Sequence, residues 1–355
     1  MGPDAVRILF WGRVMIRRTG ALFLVGFLCV PGVAKAHHSV TASFDTANIV
    51  ELEGEITDVR WQNPHVRFTV EATGENGDTQ RWDIESASVS ILRRMDLSRD
   101  VLGVGQRVRV AGNPARRGGN GLYALNLLLP DTQEVLLSPG SVQRWANDTI
   151  GSSDTWHAEA GDASDPSRGI FRVWSTRISP ENRLQNTSYP LTAAARAAAD
   201  AYDPVGDSPI LNCAPKGMPT IMTQPYPIEF VEQDDAIRLR IEEYDLVRTI
   251  HLDAEARRAA PPSDLGYSIG RWDGRTLEVT TTDITWTYFD HAIGIPQSDA
   301  VGLVERFTPS VDGSRLDYML TVTDAVTFTQ PVVMEKYWLS IPGVRVEPYD
   351  CTVSQ

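Results

Sequence analysis

Lysine is nearly missing: 355 residues contain only Lys35, Lys216 and Lys336, in a chain of net charge -13. An acidic surface repels phosphate backbones, so nucleic acid is excluded as a partner. Cysteine is as scarce, with Cys29, Cys213 and Cys351. No cysteine or carboxylate spacing accompanies any of the six histidines to build a ready-made metal motif. The one marked apolar run, Ala21 to Val33, is too short to span a bilayer, which excludes a transmembrane anchor. No pair of groups has the spacing of an acid–base couple, and no nucleophile has an evident partner. These absences leave a binding or accessory role ahead of catalysis.

What is present begins at the N-terminus. Arg17 and Arg18 precede the apolar run, and Ala34 and Ala36 occupy the -3 and -1 positions of a signal-peptidase site. Residues 1–36 therefore read as a signal peptide, with Met15 a neater start than Met1, and Leu28 before Cys29 speaks against a lipoprotein cysteine. Cleavage after Ala36 gives a periplasmic or secreted chain with 28 basic against 45 acidic residues, a net charge of -17, that begins His37-His38. Two cysteines remain in an oxidising compartment, and Cys213 and Cys351 are expected to pair.

Residues 37–138 alternate polar and apolar in "VELEGEITDV" and "HVRFTVEA", the period of half-buried strands. "TQRWDIESAS" adds a third strand. Val89, Leu92 and Met95 then keep helical spacing, and "GQRVRVAGNPARRGGNGLYALNLLLP" reads as strand, Gly-rich turn, strand. Three strands, a helix and two strands is the order of an OB-like barrel. Residues 139–165 are a polar connector. In residues 166–355, "LTAAARAAADAY" predicts a short helix, and alternating strands with tight turns predict an antiparallel barrel that hides its edges by closure. The fold class expected is mainly β, an OB-like small barrel followed by an antiparallel, lipocalin-like barrel.

Several constellations bear on chemistry. An N-terminal histidine offers an α-amine and an imidazole to one metal, and such nitrogens suit copper. His65, beside Pro64 in "WQNPH", is the natural second imidazole of a histidine brace of the kind seen in copper monooxygenases. His38 is the competitor, through a flexible peptide-like site, and His157 or His291 would be distant ligands. The plainer alternative is an exposed start at His37 and a turn histidine at His65. His251 reads as a packed strand residue. "GYSIG" is a literal G-x-S-x-G around Ser268, but a turn and a strand follow it rather than a helix, so its context fails. Trp286, Tyr288, Phe289 and His291 crowd the loop 281–299, either to close over a small apolar ligand or to cap the barrel as core. The clusters "EQDD" and "IEEYD" lack EF-hand spacing and read as solvated edges and turns.

The combination of "HHS", a following "FD" and "WQNPH" resembles an uncharacterised family of exported bacterial proteins with a small OB-like domain. "GMP", "PYPIEFV", "LGYSIGRWDG", "VERFT" and "TVTDAVTFTQP" resemble a second uncharacterised exported β-rich region. The resemblance touches most of residues 37–351; it implies export and β architecture and brings no activity. The sequence thus points to an exported binding or accessory protein with copper at His37 as a candidate. A copper oxidoreductase and a carrier of a small apolar molecule are the alternatives.

Overall fold

Alternation in the first half of the chain places one side of each strand in a core, and the resulting sheet closes on itself. A computed structural model describes residues 40–74, 77–151, 166–176, 188–204, 206–210, 213–253, 261–340 and 343–352. The cleavage site, His37, His38 and His157 lie outside them. The described residues fall within one unit, Ala34–Gln355.

A single helical turn, α1 (Val40–Ser43), leads into β1 (Val50–Arg60), β2 (Arg67–Thr73) and β3 (Thr79–Glu85), an antiparallel meander. Helix α2 (Val89–Arg94) follows, its first turn capped by the Ser88 hydroxyl, which accepts from the Ile91 amide at 3.2 Å. β4 (Arg107–Pro114) returns beside β1, and β5 (Gly121–Leu128) pairs with β4 and, in parallel, with β3. That last pairing closes a five-stranded barrel in OB order. Ile56, Phe68, Val70, Ile84, Leu92 and Val110 fill it, each no more than 2 % exposed. Gly112 marks the tight corner, at a register shift between β4 and β5: a Cβ there would meet the Tyr123 carbonyl oxygen at 2.2 Å.

β6 (Glu134–Leu136) and β7 (Thr149–Ile150) extend this sheet. The buried Glu134 carboxylate accepts from the amides of Arg144, Trp145 and Ala146 at 2.8–3.1 Å, which holds residues 144–146 against the barrel.

The second sheet runs β8 (Val173–Trp174), β9 (Ile228–Gln233), β10 (Ala236–Ile241), β11 (Leu246–His251), β12 (Tyr267–Asp273), β13 (Thr276–Thr282), then β16 (Gly302–Pro309), β17 (Arg315–Thr323) and β18 (Val332–Leu339), each neighbouring the next. The aromatic loop forms a ribbon of its own, β14 (Tyr288–Asp290) with β15 (Ile295–Pro296). Ser175 and Leu339 exchange two backbone hydrogen bonds of 2.9 Å, and this bridge joins the end of β8 to the end of β18. The barrel is therefore closed. Its expected antiparallel order holds at every strand pair but one: β11 and β12 run parallel, with Ile250 opposite Ser268. A two-residue hairpin cannot make such a pair, so the chain crosses over between Leu252 and Gly266.

Side chains fill the second barrel. Trp174, Phe230, Phe307, Tyr318 and Trp338 are all at most 2 % exposed. At the centre lies a buried ion pair: Glu305 accepts from Arg248 Nη1 at 3.0 Å and from Nη2, and from the Tyr318 hydroxyl at 2.9 Å. Arg248 Nε donates to Ser268 Oγ at 2.9 Å and Nη2 to Thr281 Oγ1 at 2.6 Å. Ser268, 1 % exposed on a strand, is thus a member of a buried network and not a nucleophile on an elbow. Helix α3 (Ala193–Ala201), capped by Thr192, packs beside β15. Tyr202 lies against Gly294, where φ is +69° and a Cβ would come within 2.2 Å of the ring, so only glycine fits.

Candidate functional site

A groove of about 730 Å³ opens on the outer face of the OB barrel. Its floor is built by strand alternation: side chains of β1, β2 and β3 that do not enter the core share one face. Register sets their neighbours. Arg60 lies opposite Arg67, which lies opposite Glu85; Asp58 lies opposite Thr69, which lies opposite Asp83. The β4–β5 hairpin, residues 115–120, supplies the far wall with Arg117, Gly118, Gly119 and Asn120. Ser43 and Phe44 complete it beside that hairpin, to which the N-terminal segment is tied: the Arg116 amide donates to the Ser43 carbonyl and the Asp45 amide to the Pro114 carbonyl, both at 2.8 Å.

Each guanidinium in the groove has an acidic companion. Arg60 Nε meets Asp58 at 3.2 Å, Arg67 meets Glu85 at 2.8 Å, Arg81 meets Asp83 at 3.7 Å, and Arg117 reaches Asp203 of the second barrel at 2.8 Å. The lining gathers four arginines against Asp58, Asp83 and Glu85, and Asp203, outside the lining, balances the fourth. Its two aromatic rings, Phe44 and Phe68, are buried and offer no platform for stacking.

Glu85 links the groove to the "NPH" elbow behind it. His65 Nδ1 lies 3.5 Å from Glu85 Oε1 and 3.0 Å from the Ser86 carbonyl oxygen. Asn63, followed by a cis peptide to Pro64, is 3 % exposed; its Nδ2 donates to the Tyr349 carbonyl, and its Oδ1 accepts from the Val89 amide at 3.0 Å. Arg94 of α2 reaches the second barrel at its closing seam, donating to Ser175 Oγ at 2.6 Å and to the Pro225 carbonyl at 2.8 Å. Burial holds Arg94 down at about 10. The Cys213–Cys351 disulfide forms as expected, with Cα atoms 6.0 Å apart, and it anchors the C-terminal tail that Asn63 grips.

Behind the elbow is a buried polar cluster. Lys216 Nζ donates to Glu243 Oε1 at 2.6 Å and to Gln224 Oε1 at 2.8 Å. Burial raises the Glu243 carboxyl, with Lys216 and, more weakly, His65 pulling the other way. Burial likewise raises the Tyr226 and Tyr244 hydroxyls. Lys336 is lowered to about 7 by burial alone, with the carbonyls of Met222 and Gln224 accepting its protons. Both lysines of the described chain are therefore interior residues that fasten the Thr220–Thr223 turn and Gln224. Two acidic residues of "IEEYD" belong here as well: Glu242 and Glu243 are at most 2 % exposed, not on a solvated edge, while Asp245 is exposed as expected.

The aromatic loop caps the second barrel from within its core. Trp286 Nε1 donates to Thr220 Oγ1 at 3.0 Å, and Phe289 packs edge-on against Tyr189 and Phe328 at 5.0 and 4.9 Å. Tyr288 lies 5.7 Å from the Tyr202 ring. His291 lines a pocket of only about 20 Å³ with Thr223, Gln224 and Asp290, and burial lowers its imidazole to about 3. His251 stacks on Tyr267 at 4.9 Å, a packed strand residue as expected. Among the described residues no three His, Cys, Asp or Glu side chains stand together as a metal cage; of the predicted copper ligands His37, His38 and His65, His65 alone is described.

The groove arginines were not singled out in the sequence. A signal exists: in "RWQNPHVR" two arginines bracket a six-residue turn, and residues that bracket a hairpin turn oppose each other across the ladder.

Fold and site together define a mainly β protein in which an OB-like barrel with an arginine-lined groove is coupled to a closed nine-stranded barrel. Residues 25–123 match a family of unknown function, DUF6152, a span that covers the groove-bearing strands and stops early in β5. A comparison with curated proteins finds no match.

Proposed function

We propose that this is an exported binding or accessory protein whose ligand sits in the groove of the OB barrel. One observation carries the reading: the open cavity of about 730 Å³ lies on the face between the β1–β2 turn and the β4–β5 hairpin, where OB barrels take their ligands. The second barrel is filled by its own side chains, which argues against a carrier cavity there. With no exposed ring along the groove, a small polar ligand suits it better than a nucleic-acid strand. The test is a small-molecule thermal-shift screen of the mature chain. Asp83→Trp, which places an indole where an exposed side chain now stands, should abolish any hit, and Val304→Trp on the outer face of the second barrel should not. A hit indifferent to Asp83→Trp puts the ligand elsewhere. Intact mass of exported material, starting at His37, tests processing after Ala36.

A second reading is copper held by the α-amine and imidazole of His37 with the imidazole of His65. The Ser86 carbonyl beside His65 Nδ1 favours it, because such outer contacts orient ligating histidines. Copper titration decides it: unchanged affinity in both His65→Ala and a chain extended by one residue before His37 removes the reading.

A further inference from the structure

We infer that the ligand of the groove carries an oxyanion, a carboxylate or a phosphate, held between Arg60 and Arg67. The inference rests on the groove reading and adds the chemical class of the ligand.

Its starting point is a cross-strand pair that stability alone does not favour. Arg60 and Arg67 are Cα partners at the end of the β1–β2 ladder. Like charges directly opposite on one face repel, and sheets normally place an opposite charge or a neutral residue there. The neighbouring ladder follows that rule, Glu53 facing Arg109 and Glu55 facing Arg107, while the β1–β2 ladder breaks it twice, at Glu55–Glu71 outside the cavity lining and at Arg60–Arg67. The Arg60–Arg67 pair departs from it on the face where the cavity opens. Both side chains remain in contact with water, at 46 % and 28 % exposure. They are thus placed to meet a solute.

The companions of these arginines hold the guanidiniums in place. Asp58 engages Arg60 through Nε, on the edge of the guanidinium rather than at its terminal fork. Glu85 engages Arg67 at Nη2 and is itself largely buried, at 5 % exposure, in the groove floor. The planar fork of Arg60, held at Nε, suits bidentate contact with carboxylate or phosphate oxygens, its ordering cost met before the ligand arrives, and Arg67 adds its charge beside it. Arg81 and Arg117, 67 % and 62 % exposed, stand on the next strand and on the overhanging hairpin. They extend the positive lining to both sides of the pair. In a chain of net charge -13, a concavity that gathers four arginines is where an anion meets the most donors.

The experiment is isothermal titration of the full mature chain at fixed ionic strength with sodium phosphate, citrate, neutral maltose and a single-stranded oligonucleotide as separate probes. Phosphate or citrate is expected to bind, and which of the two is tighter separates the two oxyanion sources. Arg60→Gln should weaken that binding at least about 10-fold, or about 1.4 kcal/mol. Arg67→Lys keeps the charge but loses the fork, so it should weaken binding while keeping Glu85 paired and the barrel folded. Arg240→Gln, an exposed change on the second barrel, should leave affinity unchanged. If neither anion binds wild-type protein more tightly than about 1 mM, the inference is overturned. It is also overturned if Arg60→Gln and Arg67→Lys both bind as wild type does. Maltose binding that Asp83→Trp blocks, with no phosphate or citrate binding, overturns the oxyanion but leaves the groove reading standing.

Discussion

Truncating Glu305 should cost this protein a large part of its stability. Glu305 is fully buried at the centre of the second barrel and accepts from both terminal nitrogens of Arg248 and from Tyr318. In Glu305→Ala, Arg248 keeps Ser268 and Thr281 as acceptors but loses the anion that offsets its charge. Removing one partner of a buried pair costs about 3–5 kcal/mol, because the other charge remains without water or counterion. Against a typical total of about 5–15 kcal/mol, that loss brings the variant to the edge of unfolding. The double variant Arg248→Met, Glu305→Leu removes both charges at similar volume and should recover most of the loss, since desolvation of the pair roughly balances its attraction. Urea unfolding of wild type, both single variants and the double variant, followed by tryptophan fluorescence, measures the cycle. A loss below about 1 kcal/mol in Glu305→Ala would refute the reasoning, for it would mean that water reaches the barrel interior.

In the chain that begins at His37, unfolded, oxidised protein should show no free thiol, and reduction of the disulfide should cost about 2–5 kcal/mol, the loop between Cys213 and Cys351 being long. Asn63→Ala removes the grip on Tyr349 and the acceptor for the Val89 amide; a loss of about 1–3 kcal/mol is expected, together with faster carboxypeptidase digestion of the tail. For pH, the imidazole of His291 is lowered from 6.5 to about 3, so its contribution is fully present above pH 6.5 and is lost as pH falls toward 3. At pH 5 that contribution has dropped by at most about 2 kcal/mol. Glu242, Glu243 and Asp290 are raised by burial and act in the opposite sense, holding their contribution at low pH and losing it as pH rises through their raised values. The comparison of His291→Asn with wild type therefore isolates the histidine: the gap between their melting temperatures should change between pH 7 and pH 5, and a constant gap would count against the shift.

Much of the architecture was legible in local pattern. Alternation in "VELEGEITDV" and "RLDYMLTVTD" marks β1 and β17 because a strand with one face in a core must repeat every two residues. Helix α2 follows from Val89, Leu92 and Met95, and the Cys213–Cys351 pair from there being only two cysteines beyond residue 36. The failed context of "GYSIG" was readable too, since a strand cannot present Ser268 as an elbow does.

What tertiary structure alone decided are the relations between residues distant in the chain. Periodicity says which side of a strand is buried, not which strand lies next to it. The parallel β11–β12 seam and the Ser175–Leu339 closure are therefore absent from any local signal. Glu242 and Glu243 of "IEEYD" read as solvated because nothing nearby in sequence covers them; the cover comes from Lys216 and from the C-terminal tail. The groove needed both levels. Arg60 and Arg67 are a hairpin's width apart in sequence, but the wall that makes a cavity of their face comes from residues 115–121, and closure of the barrel through β3 and β5 is what brings that wall across.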